Sequence, residues 1–122
     1  MVVVAGADEL ENRDSGVGGD VSDPYCTVTL GAVKHKTKVI ANNLSPLFNE
    51  VLGMFPWNGS DTMLINVFDH DALTRHDDIG HATVNLAGIP PMVEQAITVP
   101  LQGVKSGTVT LRLTFFSDAE WL

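Results

Sequence analysis

Asp69, Asp71, Asp77 and Asp78 fall within ten consecutive positions of the stretch "FDHDALTRHDDIG", Phe68 to Gly80. Four like charges so close together repel, and each carboxylate prefers water to a protein interior. The stretch nevertheless directly follows the apolar run "MLINVF", so the fold delivers these carboxylates to the end of a buried element. Two arrangements suit that placement: a solvated acidic loop, or a site for a cation that offsets the repulsion. A hard cation such as Ca²⁺ takes about 6–8 oxygen ligands, more than one loop usually supplies. A calcium site therefore calls for a second acidic loop, and "ENRDSGVGGDVSDPY" supplies Asp14, Asp20 and Asp23 just before another apolar strand.

Spacing sets aside the other chemistries. An EF-hand loop needs a third oxygen ligand at position 5, Gly at 6 and Glu at 12. Counted from Asp69, those positions hold Leu73, Thr74 and Gly80. His70, His76 and His81 raise zinc or another imidazole-bound metal, but their intervals of 6 and 5 fit no closed site. They read as loop and strand residues. "MLINVFDHDAL" also resembles the nucleophile strand of the haloacid dehalogenase family, an apolar strand ending in Asp-x-Asp-x-Thr whose first Asp accepts a phosphoryl group. Here the fifth motif position is Leu73. That family also needs a parallel sheet fed by crossover helices, which this helix-poor chain cannot build.

The elements that must position the acids are short β-type runs separated by turn residues. They are 2–7, 25–30, 34–40, 49–55, 61–68, 80–86, 95–101 and 107–116. Cys26, Val28 and Leu30 alternate with Tyr25, Thr27 and Thr29, as on a strand with one face buried. Val109, Leu111, Leu113 and Phe115 oppose Thr108, Thr110, Arg112 and Thr114 in the same way. Between the runs lie "NNLSPL", "PWNGS" and "AGIPP", all turn chemistry. "PMVEQA" is the best candidate for a single helical turn. Eight strands in an all-β chain predict an antiparallel sandwich or barrel.

The totals narrow the partners. The chain has 122 residues, enough for one domain with its own core. Fifteen acids against seven bases give a net charge of -8. That argues against nucleic acid, whose phosphates need a basic face. It also argues against simple adhesion to anionic membranes unless the acids are neutralised locally. The single cysteine, Cys26, allows no internal disulfide and suits a reducing compartment. No run approaches the roughly 20 apolar residues of a membrane span. The glycosylation sequons at Asn43 and Asn58 are of a kind expected by chance.

Taken together, "SDPYCTVTLG" (22–31), "KTKVIANNLSPLFNE" (36–50), "LINVFDHDALTRHDDIGHATVNL" (64–86) and "GTVTLRLTFF" resemble a C2 domain, in order and spacing, over most of the chain. The resemblance implies an eight-stranded antiparallel β-sandwich, one domain over residues 1–116 with a tail at 117–122. It further implies the permuted, type II topology of phospholipases and ferlins, in which the chain opens on the strand leading into the first calcium loop. "GDVSDPYCTVTLGAVKHKTKVI" resembles ferlin first domains.

Function follows as an expectation from the same resemblance. Asp23, Asp69, Asp71 and Asp77 match Ca²⁺ ligands, and Thr74 stands where a serine assists a further ion in some members. The remaining first-loop ligand is Asp14, counting forward from Leu10, or Asp20, counting back from Asp23; Asp78 has no ligand counterpart and reads as solvated. Two bound Ca²⁺ would change the formal charge from -8 to -4. The apical loops would then dock on anionic phospholipid, phosphatidylserine or phosphoinositides, with Val17, Leu73 and Arg75 at the tips. Lys34, Lys36 and Lys38 share one strand face, either a phosphoinositide site or simply a solvated face. Cys26 reads as a buried thiol, and Pro46, Phe48, Asn49 and Glu50 as the family's corner. The expected protein is a monomeric, non-catalytic module, peripheral to membranes on the cytosolic side. The alternative is a calcium-independent protein-interaction or scaffolding module.

Overall fold

The computed structural model describes residues 1–12, 21–55, 62–70 and 76–116. Its strands are β1 (Val2–Asp8), β2 (Pro24–Leu30), β3 (Val33–Lys36), β4 (Leu47–Gly53), β5 (Thr62–Asp69), β6 (Asp77–Asn85), β7 (Gln95–Pro100) and β8 (Thr108–Leu113). They form two four-stranded antiparallel sheets, ordered β4-β1-β8-β7 and β3-β2-β5-β6. The closing strand β8 pairs with the opening strand β1, so the chain's two ends meet in one sheet. All eight runs read from the sequence form strands, and of the sandwich and barrel they allowed, the architecture is the antiparallel sandwich.

Packing explains the pattern. Val4, Cys26, Val28, Ile65, Val67, Ile79, Val109 and Leu111 are fully buried between the sheets. Burying such a side chain contributes about 1.5–3 kcal/mol against chain entropy. Tyr25 and Thr27 are buried as well, although strict alternation places them on the outer face. The reason is position: β2 lies inside its sheet, flanked by β3 and β5, so neighbouring side chains cover its outer face too.

Boundaries moved where side chains replace ladder bonds. The run 34–40 stops at Lys36 as a strand because Thr37 turns inward and its hydroxyl oxygen accepts the Cys26 N–H at 2.9 Å. "PMVEQA" is not helical. Met92 adopts a left-handed φ of 66° in a turn, its N–H donates to the Phe115 carbonyl, and β7 begins at Gln95. Trp57 and Trp121, for which the sequence suggested no role, lie outside the described residues.

Cys26 is fully buried, and burial, with a smaller contribution from nearby Glu50, pushes its thiol up to about 12. The thiolate is the reactive form, so Cys26 is inert in the native state. Alkylation by iodoacetamide at pH 8 should therefore be undetectable on the folded protein and quantitative in denaturant, as mass spectrometry would show. Rapid native labelling would contradict the burial.

Candidate functional site

The acidic end of the sandwich is built by strand register. β2 enters at Pro24 opposite Asp69, the last residue of β5, and Asp69 in turn faces Asp77, the first residue of β6. Asp23, one residue before β2, therefore lies beside Asp69. Hydrogen bonds fix this corner. Asp69 Oδ1 accepts the Asp23 N–H at 2.8 Å, and the Asp23 carbonyl accepts the His70 N–H at 2.9 Å. Asp23 Oδ1 accepts the Asn42 N–H at 2.8 Å, tying in the turn that follows β3. Asn12 Oδ1 receives the Ser22 N–H, which anchors the start of the first acidic loop.

A β-bulge decides which aspartate of the "DD" pair joins this corner. Val67 faces Gly80, yet Phe68 faces Asp78, so Ile79 is an extra residue on β6. An unbulged hairpin would set Asp78 opposite Asp69; the bulge moves Asp77 there instead. Asp78 Oδ1 accepts the Gly80 N–H at 2.8 Å, so this exposed carboxylate caps the bulge rather than merely meeting solvent. Glycine is required at position 80, beside the bulge. Its φ is +127°, and a Cβ there would lie 2.9 Å from Val104 Cγ2 and 3.0 Å from Leu101 Cβ.

Asp69 is only 5% exposed, so a carboxylate is held almost out of water at the strand end. Among the described residues no basic side chain pairs with Asp23, Asp69 or Asp77. Nor does any group of three His, Cys, Asp or Glu among the described residues form a metal cluster by itself. Asp14, Asp20 and Asp71, with Val17, Leu73, Thr74 and Arg75, lie outside the described residues. The donors brought to this corner are all carboxylate oxygens, the chemistry a hard cation takes and a soft one does not.

A second feature lies on the outer face of the β3-β2-β5-β6 sheet. Register aligns Lys36, Thr27, Asn66 and His81 in one row, and Lys34, Thr29, Leu64 and Thr83 in the next. Lys34 and Lys36 are exposed on the edge strand, where charge also protects the edge from pairing with other chains. Lys38, beyond the strand, is exposed as well, and its N–H donates to Glu50 Oε1. Of the corner residues, Pro46 is fully buried and Asn49 carries a φ of 43° in the β1–β4 bulge. At the opposite end of the sandwich, Leu30, Phe55, Met63, Leu86, Ile89 and Phe115 line an apolar cleft of about 440 Å³.

Linear spacing concealed one cluster. His70 and His76 are the first residues beyond the last Asp69–Asp77 pair, and their rings come within 4.7 Å, centroid to centroid. The Tyr25 hydroxyl is hydrogen-bonded to His76 Nδ1, and burial pushes the Tyr25 phenol above its ordinary range. A signal was present in the sequence: two residues placed symmetrically about a hairpin loop become neighbours whatever their separation.

Known proteins place this architecture. The C2 domain family model matches residues 1–101. Protein C2-DOMAIN ABA-RELATED 4 of Arabidopsis thaliana is 38% identical over 88 residues, 72% of this chain and 48% of that protein. The chain spans about half the length of the curated relatives it matches. A C2 domain of a plant extended synaptotagmin 1 superposes with a TM-score of 0.82 at 22% identity, over 96% of this chain and 94% of that one, a likeness of fold. A calcium-bound structure of the paired C2 domains of extended synaptotagmin 2 reaches 0.79 at 26% identity, over 91% of this chain and 42% of that one. The all-β sandwich, its strand order and the family match together establish that this chain belongs to the C2 domain family.

Proposed function

We infer that this chain is a calcium-dependent module that docks on anionic phospholipid through its two acidic apical loops. The observation that carries the reading is the corner itself, where register sets buried Asp69 against Asp77 and beside Asp23, with no described basic partner. Asp23, Asp69, Asp71 and Asp77 would hold Ca²⁺, with Asp14 or Asp20 completing the first loop. Bound calcium would neutralise the rim and offer open coordination positions to lipid phosphate oxygens. The chain's own part is to preorganise the donors: backbone N–H groups of Asp23 and Asn42 hold two of the carboxylates in place before any ion arrives. Calcium in the similar paired-domain structure supports the reading. C2 domains are typically non-catalytic, and we assign this chain no reaction of its own. No helix among the described residues is long and apolar enough to cross a membrane. The working site we assign is a membrane surface facing the cytosol, approached reversibly by a monomeric domain.

Vesicle sedimentation tests this directly. Phosphatidylserine vesicles should pellet the protein with calcium and release it on chelation. Pelleting that ignores calcium, or no pelleting at all, would favour the alternative of a calcium-independent protein-interaction module.

The lysine face makes a finer claim, that phosphoinositide head groups bind across Lys34, Lys36 and Lys38. Each lysine near an anionic surface contributes about 1 kcal/mol. Lys34→Ala with Lys36→Ala should weaken binding to phosphoinositide vesicles by more than the roughly 30-fold that general attraction at about 1 kcal/mol per charge supplies, and by more than it weakens binding to phosphatidylserine vesicles of equal charge. Equal loss on both vesicles would mean general electrostatics rather than a head-group site.

A further inference from the structure

We propose that His70 and His76 form a second, separate metal site, an imidazole pair for a borderline divalent transition ion such as Zn²⁺ or Cu²⁺. Strand alternation separates it from the carboxylates. Asp69 shares the inward face of β5 with Ile65 and Val67, all buried. Phe68 and, one residue past the strand, His70 take the outward face, where Tyr25 packs against Phe68 at 5.5 Å and against His70 at 6.4 Å. Across the hairpin, His76 stands next to His70, with the two rings 4.7 Å apart and tilted by 53°. The end of one hairpin thus carries hard oxygen donors on one side and imidazole nitrogens on the other.

Three features suit the pair to a metal. Both rings are half-buried, so little side-chain freedom remains to be lost on binding. Tyr25 meets His76 edge-on at 5.3 Å, and its hydroxyl engages Nδ1. When that oxygen accepts the Nδ1–H, Nε2 keeps its lone pair for a metal, the outer-shell arrangement common around ligating histidines. The hydroxyl therefore orients His76 from its Nδ1 side rather than competing with it for the ion. Two imidazole nitrogens favour ions high in the divalent series, Cu²⁺ above Zn²⁺, over Ca²⁺, which takes oxygen donors.

The test uses Zn²⁺ and Cu²⁺ titrated calorimetrically into the intact chain in saturating calcium. One equivalent should bind, with Cu²⁺ tighter than Zn²⁺, and the Cu²⁺ electron paramagnetic resonance spectrum should show coupling to imidazole nitrogen. His70→Gln and His76→Gln should each weaken binding on the order of 100-fold, and Tyr25→Phe by about 10-fold. Calcium binding should survive in both histidine variants, which separates the two sites: absence of calcium binding in the unaltered chain would count against the proposed function and not against this pair. Transition-ion binding that persists in both histidine variants, nitrogen coupling that is absent, or displacement by calcium would each overturn the proposal.

Discussion

Asp71→Asn is expected to abolish calcium-dependent pelleting with phosphatidylserine vesicles while the folded domain stays intact. Asp69 and Asp77 face each other at the mouth of the hairpin, and Asp71 follows Asp69 in sequence at an interval of two. Replacing a carboxylate by its neutral amide keeps the shape and removes one charge. Calcium affinity follows ligand charge count, so a loss on the order of 100-fold is expected. Asn is nearly isosteric with Asp, so the change should move stability by no more than about 0.5 kcal/mol. Asp69→Ala would be a poorer test, because Asp69 is buried and accepts the Asp23 N–H, so fold and site would fail together. Unchanged pelleting by Asp71→Asn, with an unchanged Tm, would remove Asp71 from the ligand set.

Gly80→Ala should be the most damaging single-methyl change near the site. Its φ of +127° is strained for any side chain, and the new Cβ would press on Val104, Leu101 and the Gln102 carbonyl, 3.2 Å away. Positive-φ strain and overpacking each cost on the order of 1–3 kcal/mol, so a total of roughly 2–4 kcal/mol is expected. For a domain of this size that lowers Tm by roughly 10 °C. The functional consequence is specific. The bulge at Gly80 sets Asp77, rather than Asp78, opposite Asp69, so a relaxed bulge loosens the acidic corner even below the melting transition. Gly88→Ala is the control: its φ is +78°, but a Cβ there meets nothing within 4 Å. Thermal melts that fail to separate the two variants would contradict this account of the bulge.

The fold was legible because its strands obey simple alternation. Cys26, Val28 and Leu30, like Val109, Leu111 and Leu113, are buried as their spacing demands. What alternation could not show was the cover over Tyr25 and Thr27, which depends on which strands lie beside β2. Site legibility divides in the same way. The intervals among Asp69, Asp71 and Asp77 are local, and they point to a loop with shared chemistry. The reason Asp77 outranks Asp78 is a register shift, visible only once Phe68 is paired with Asp78 and Ile79 is left over. Intervals of six and five between histidines suggested no site because a hairpin, not a helix or a short chelating loop, brings His70 and His76 together. His81, the third, goes elsewhere: it pairs with Asn66 in β5 and bridges to Gln102.

The central claim is that the two acidic loops form one calcium site whose coordination lipid completes. The most direct measurement is a calorimetric titration of calcium into the chain, with and without phosphatidylserine vesicles. The account predicts saturable calcium binding that tightens when the vesicles are present and disappears in Asp71→Asn. Calcium binding too weak to detect in both conditions, or binding that the vesicles do not tighten, would contradict it.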